Sequence, residues 1–359
     1  MRNMQSEIWR NLPQHVLEII VGKLDVESLV KFRCVSKTFK NFVSSASFRS
    51  LRLETQETSP WLVMFNKQDQ YRFCRAYDTV NKKWHLISVE FLPYNRRHNL
   101  QLLAASSQLL CFTTQSCVIL CNPLTQKWRR LVSSCINLLT HEMHRANRPA
   151  IAMATLSADD DVLFMLCNGR AIIYSTRSDR WVAQTESVPR SNLRSDAVFC
   201  NGSFYFISWE AEEILAYDLE RSEWKILDGP MGEEALAFGR LVSCGKSVFV
   251  VGGIGFEGIA KSLCIWELHE SSMEWKEVDC APQMMSSALF SGCYHNYEHI
   301  YCFGHGDSIC MSCVSWPEVL IYSLSWRTWN WVPPCPVLSN MARSGFRWVS
   351  FKPTFNGLV

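Results

Sequence analysis

Three groups of residues have the types and spacings from which chemistry is built. Gly253, Gly255 and Gly258, within VFVVGGIGFEG, spell G-x-G-x-x-G behind an apolar run that reads as a strand. In a dinucleotide site such glycines open a helix whose N-terminus holds the pyrophosphate. Here the continuation IAKSLCIWEL, Ile259 to Leu268, is rich in β-formers, so the pattern predicts a second strand and no cofactor. Cys293, His295, His299, Cys302, His305, Cys310 and Cys313 crowd a second segment, with a C-x-x-C pair at its end. Structural zinc needs four converging ligands, usually from two such pairs. The second pair is missing and Cys302 sits in the strand-like run HIYCFG, so no metal is expected. Last, His141, Glu142 and His144 form H-E-x-H, short of the H-E-x-x-H spacing that sets two ligands on one helical face. With no paired carboxylates or activated nucleophile evident, the expectation is a chain without catalytic chemistry of its own.

Composition narrows the class. The chain has 359 residues, 14 Trp, 20 Phe and a net charge of only +2, which describes a large, near-neutral globular core. A nucleic-acid binder would carry a basic footprint, and the short clusters at 95–98 and 127–130 do not make one. The N-terminus lacks an apolar signal segment and no run of about 18 apolar residues could span a bilayer, so nucleus or cytoplasm is expected and no membrane. In that setting the 16 cysteines are expected to be reduced and mostly buried.

The elements that position these residues emerge from an internal repeat. In YDTVNKKW, CNPLTQKW, YSTRSDRW, YDLERSEW and YSLSWRTW, starting at Tyr77, Cys121, Tyr174, Tyr217 and Tyr322, an aromatic or small apolar residue is followed seven positions later by Trp. A sixth unit, WELHESSMEW from Trp266, reads as the same motif with two residues inserted. The repeated Trp84, Trp128, Trp181, Trp224, Trp275 and Trp329 stand 44, 53, 43, 51 and 54 residues apart. Four short strands in a period of about 50 are what β-propeller blades require, each Trp filling the gap to the next blade. In the fourth unit Asp196–Cys200, Ser203–Ser208, Ile214–Asp218 and Trp224–Leu227 parse as strands, with Asn201-Gly202 as a tight hairpin. The pattern resembles kelch repeats, in which a glycine doublet closes the second strand. In the fifth unit that assigns Ser247–Val251 to the second strand, Gly252-Gly253 to its end and Ser262–Leu268 to the third, so the glycines fall in a connection. The first unit, from Trp61, is one strand short of four, and GFRWVSFK from Gly345 is expected to close the ring beside residues 61–66, giving six blades.

Residues 1–55 read as helices. Val16, Leu17, Ile20 and Leu24 recur at helical spacing after Pro13; Asp25 caps a second set, Leu29, Phe32 and Val35; Ser36 opens a third, Phe39, Phe42 and Val43. Three short helices are too few for a large core of their own. IWRNLPQHVLEIIVGKLDVESLVKFRCVSKTFKNFVSS closely resembles the F-box, with Phe39 where that family often has Trp. An F-box followed by degenerate kelch units over 56–359 resembles the plant F-box/kelch group, near its unusual-floral-organs and leaf-curling branch.

The resemblance implies a substrate receptor of an SCF-type ubiquitin ligase. The F-box would dock a Skp-type adaptor, and through it a cullin and a RING protein, by Leu12, Pro13, Val16, Leu17, Ile20, Leu24, Leu29, Phe32 and Val35. The propeller would hold a protein substrate on the face where the connections into and across each blade are long: 90–99, 133–148, 186–194, 228–238, 254–261, 305–317 and 334–344. Candidates there are Arg96, Arg97, Arg145, Arg148, Arg190, Arg194, Phe256, His305 and Arg343. The residues do not separate this reading from a non-degradative kelch interaction adaptor.

Overall fold

A computed structural model describes residues 12–55, 59–66, 73–93, 100–114, 117–131, 150–157, 160–167, 170–183, 188, 193–230, 236–269, 271–336 and 344–355, and among these, short helices lead into 24 strands with one further α-helix between them. Among the described residues four helices precede the first strand: α1 (Gln14–Gly22), α2 (Val26–Val35), α3 (Lys37–Val43) and α4 (Ala46–Thr55). Each start has a local cause. The Pro13 carbonyl accepts from the amides of Val16 and Leu17, Asp25 Oδ1 from Ser28 N at 2.6 Å, Ser36 Oγ from Phe39 N at 3.1 Å and Ser45 Oγ from Phe48 N at 3.2 Å. The fourth helix was not expected; among its described side chains Phe48 and Arg52 are buried.

The strands form antiparallel meanders, and the innermost strand of each begins after a connection from the outermost strand of the one before. β4–β7 (Gln101–Ala105, Leu110–Thr113, Val118–Asn122, Lys127–Leu131) make one four-stranded sheet. β16–β19 (Leu236–Cys244, Ser247–Phe256, Ile259–His269, Glu274–Cys280) and β20–β23 (Ile300–His305, Ser308–Cys313, Trp316–Ser323, Thr328–Trp331) make two more. Two meanders, β8–β11 (Ala150–Ser157, Asp160–Cys167, Arg170–Ser175, Arg180–Ala183) and β12–β15 (Leu193–Cys200, Ser203–Ser208, Glu213–Asp218, Glu223–Asp228), merge into an eight-stranded sheet through a parallel bridge of Asp196 with Ile151. The first sheet has the order β24-β1-β2-β3 (Phe346–Phe351, Trp61–Asn66, Phe73–Asp78, Lys83–Ser88). β24 lies antiparallel along β1 from Trp61 opposite Phe351 to Asn66 opposite Phe346, so the last strand of the chain completes the first sheet. The inner strands β24, β4, β8, β12, β16 and β20 neighbour one another in a closed circuit.

The repeated tryptophan is a cross-strand partner within its own hairpin. Tyr77 faces Trp84, Cys121 faces Trp128, Tyr174 faces Trp181, Tyr217 faces Trp224 and Tyr322 faces Trp329. The tyrosine and tryptophan ring centroids lie 4.7 to 5.2 Å apart, a distance at which aromatic pairs attract beyond simple burial. In the fifth meander Trp275 faces Leu268, not Trp266, so the seven-residue spacing holds there and the supposed insertion is absent. Leucine simply takes the tyrosine place. The turns are also alike. The residue two before each tryptophan is left-handed: Lys82 (φ 51°), Gln126 (60°), Asp179 (53°), Ser222 (59°), Met273 (56°) and Arg327 (49°). None is glycine, although the conformation costs an L-residue about 1–2 kcal/mol. Side chains one step after the aromatic position offset part of this cost: Asp78, Asn122 and Asp218 each accept two turn amides.

Two strand boundaries correct the sequence reading. β17 runs on through Gly252, Gly253 and Gly255 to Phe256, so the glycines lie inside a strand and only Glu257-Gly258 connects it to β18. They are there for packing: a Cβ on Gly253 would stand 2.4 Å from the Phe238 ring and 2.6 Å from the Ala260 methyl. The G-x-G-x-x-G run is therefore a hairpin, with Gly258 at φ +75° in its turn. Likewise 305–317 is no long loop but strand β21 between two tight turns. A helix that the repeat did not announce, α5 (Gln283–Gly292), fills the connection from β19 to β20. Its Leu289 and Phe290 are buried against the aromatic group of Phe238 and Tyr297.

Among the described residues the cysteines are mostly free and buried, as expected, but Cys264 and Cys280 face each other on β18 and β19, Cα atoms 4.1 Å apart, and are joined as a disulfide. Register decides this, because only tertiary pairing sets two sulfurs opposite across a ladder.

Candidate functional site

The helices do not own a core. Val21, Val26, Leu29, Val43 and Phe48 pack in one cluster with Trp61, Phe65, Ile87 and Phe112 of the first two sheets, and Phe355 from the chain's end joins them. Arg33 donates to the Leu124 carbonyl and lies over the Phe355 ring, while Lys83 pairs with Glu27. Held by Lys31 and Lys83, the Glu27 carboxyl is lowered to about 2. The helical module is thus fixed to the sheets by apolar contact and by charge.

That packing sorts the nine adaptor-facing candidates. Leu29 is fully buried (0% exposed) in the shared core, so it is not an accessible anchor, contrary to the sequence expectation. Leu17, Leu24 and Phe32 are half-buried against the same core. Leu12 and Val16 are half-buried as well, and Pro13, Ile20 and Val35 are exposed, Val35 at 69%. Ile19 and Val30 are exposed too and were missed. Each directly neighbours a predicted position, Ile20 or Leu29, so a one-residue rotation of the helical face would have found them. Ile19 and Ile20 on α1 are exposed, and so are Val30 and Val35 on α2, where they flank the Glu27–Lys31 ion pair.

At the substrate-face positions the outcome is mixed. Arg96, Arg97, Arg145, Arg148, Arg190 and Arg343 lie outside the described residues, as does the His141, Glu142, His144 group. Arg194 is not in a loop: it begins β12, is buried, donates to the Trp209 carbonyl at 3.0 Å and lies over the Trp209 ring. Burial, with the neighbouring Arg240 guanidinium, lowers it to about 9. His305 ends β20, buried between Thr79 Oγ1 (3.2 Å) and Ser350 Oγ (3.1 Å), and desolvation lowers it to about 4. It is a neutral structural imidazole rather than a surface contact. Phe256 alone among the described candidates is freely exposed, 72% at the tip of the β17–β18 hairpin. Cys293 and Cys313 meet side chain to side chain, but no three of the cysteines and histidines of 293–313 converge; among the described residues the group of three ligand-type side chains within 4.8 Å of one another is Cys264, Glu277 and Cys280.

Between the inner strands runs a cavity of about 490 Å³. A polar group crosses it: Arg347 Nη2 on β24 donates to Asp196 Oδ1 on β12 (3.3 Å) and to the Leu103 carbonyl on β4 (3.2 Å), with its guanidinium 3.7 Å from the centre of the Tyr301 ring on β20. Arg240 Nε on β16 stands 4.0 Å from Asp196 Oδ2 and donates to the Ile300 carbonyl at 2.8 Å. Five inner strands are tied through one carboxylate and two guanidinium groups, an arrangement that orders a ring. Nothing in the sequence pattern marked these residues, although each stands on the inner strand of its sheet.

Comparison with known proteins agrees with this architecture. Residues 9–51 match the F-box domain and residues 77–298 match the KIB1-4 beta-propeller. An F-box/kelch-repeat protein of Arabidopsis thaliana is 32% identical over 99% of this chain and 90% of its own length. F-box only protein 6 of the same plant is 28% identical over 93% of this chain and 72% of its own length. The Arabidopsis protein UNUSUAL FLORAL ORGANS is 22% identical over 93% of this chain and 80% of its own. With helices that lean on a strand-built ring and matches that cover both, the chain belongs to the F-box/kelch-repeat family, an F-box joined to a β-propeller.

Proposed function

We propose that this chain is the substrate-recognition subunit of an SCF-type E3 ubiquitin ligase. What carries the reading is the pairing of an F-box match over residues 9–51 with apolar Ile19, Ile20, Val30 and Val35 left exposed on α1 and α2 while Val21, Val26 and Leu29 of the same helices are buried. Exposed apolar side chains of this kind suit a groove on a Skp-type adaptor, which connects to a cullin and a RING protein. Residues 1–55 form the docking module and 56–359 the receptor; we read the closed circuit of inner strands as six blades of a kelch-type propeller. A protein substrate sits on the face carrying the connections into the inner strands. The chain then supplies proximity, raising the substrate's effective concentration near a charged conjugating enzyme, and leaves transfer chemistry to other subunits. Among the described residues no helix is long and apolar enough to cross a membrane, and residence in the nucleus or cytoplasm fits this role.

The test is co-purification of the full chain with a Skp-type adaptor and cullin, beside an Ile20→Asp, Val35→Asp variant. Capture of both by wild type, lost in the variant, supports the reading. Adaptor without cullin removes the ligase role, and no capture by folded wild type removes the docking role as well.

A further inference from the structure

The disulfide partners have a third neighbour that the recognition function leaves unused. Along β18 and β19, Cys264 faces Cys280 and Ile265 faces Asp279, but Trp266 faces Glu277, so Val278 is an extra residue in the ladder. In a regular strand residues 277 and 280, three apart, would point to opposite faces. One bulged residue brings them back to the same face, the way bulges re-aim side chains beside functional sites. As a result one ligand atom from each of Cys264, Glu277 and Cys280 lies within 4.8 Å of the others. Cys264 is buried, Cys280 half-buried and Glu277 exposed, so the group is closed on the sulfur side and opens to solvent at the carboxylate. Glu277 has no hydrogen-bond or ion-pair partner among the described residues. The group stands at the foot of α5, where the Ala281 amide donates to the Leu263 carbonyl at 2.8 Å and Pro282 caps the helix.

Two thiolates and one carboxylate, with an open side for water, are the ligand set of a four-coordinate thiophilic cation. We propose that, once the Cys264–Cys280 disulfide is reduced, Cys264, Cys280 and Glu277 bind a divalent cation of the zinc class. Reduction takes two electrons from two molecules of a thiol reductant, which leave joined as a disulfide, and one proton goes to each cysteine sulfur. Binding then releases both protons as the thiolates ligate the metal. A low-molecular-weight disulfide reverses the sequence: it takes the two electrons back, re-forms the Cys264–Cys280 bond and expels the cation. Disulfide and metal site are two states of the same side chains.

The experiment is a Co²⁺ titration of the full chain after reduction with a phosphine and removal of the phosphine, read by absorbance. About one equivalent should give sulfur-to-cobalt charge transfer and the visible bands of tetrahedral cobalt, both abolished by Zn²⁺ and both absent from the oxidised chain. Cys280→Ser should lose them, and Glu277→Gln should weaken binding at least about tenfold, the loss that even an outer-shell partner causes. The remaining cysteines are controlled by that comparison. Absence of the bands in reduced wild type overturns the proposal, and so do variants that titrate like wild type. Should Cys280→Ser fail to fold, Glu277→Gln decides alone, since its side chain is exposed.

Discussion

Leu29 separates the two ways of reading the helices. If it were an adaptor anchor, its truncation would spare the folded chain and cost only docking; the structure places it at 0% exposure among Val26, Val43, Phe48, Trp61 and Phe65. Withdrawing a fully buried leucine from water contributes about 2–3 kcal/mol, and truncation to alanine also leaves a cavity that neighbours fill only in part. Leu29→Ala should therefore cost about 3–4 kcal/mol. Val35→Ala, at 69% exposure, should stay within about 0.5 kcal/mol of wild type yet weaken adaptor capture. Urea unfolding followed by tryptophan fluorescence and far-ultraviolet circular dichroism measures both. Trp61 stands in the affected cluster, so the fluorescence transition should move with the helical signal. A Leu29→Ala chain with an unchanged midpoint would refute the shared core, as would loss of adaptor capture without loss of stability.

Two further outcomes follow from the ring. His305 has a folded pKa of about 4 against 6.5 for a free imidazole, so its contribution is fully present above about pH 6.5 and is lost as pH falls toward 4, to a limit of about 3 kcal/mol. Thermal melts across pH 4–7 should fall more steeply for wild type than for His305→Asn; equal slopes would contradict a buried neutral ring. Asp196→Asn leaves Arg347 and Arg240 without their carboxylate and should cost about 2 kcal/mol, the penalty for breaking a buried pair discounted for partial exposure. Adding Arg347→Met should recover much of that loss in the same denaturation assay, and strictly additive losses would show that the two groups do not interact.

What the sequence determined by itself is whatever depends on spacing along the chain. A tryptophan seven residues after its partner is a property of one hairpin: the turn length puts Tyr217 opposite Trp224 whatever surrounds them. The same holds for the Asn201-Gly202 turn, with φ of 45° and 81°, and for the Asp25 and Ser36 caps, which act within three residues of themselves. The count of strands in the first unit likewise called for a partner to Trp61–Asn66, and β24 lies there. Long-range pairing decided the rest. Whether Gly253 ends a strand or lies within one depends on the Phe238 ring that packs on it, which comes from a neighbouring strand. Leu29, Arg194 and His305 looked like surface groups because helical periodicity and loop position do not say what a face meets. Leu29 meets the first sheets, Arg194 the Trp209 ring, and His305 two hydroxyls from the first meander. The Arg347–Asp196 tie across the cavity and the Cys264, Glu277, Cys280 group carry no local mark at all. One needs a ring to bring β24 to β12, and the other needs a single bulged residue to turn a carboxylate onto the face of two sulfurs.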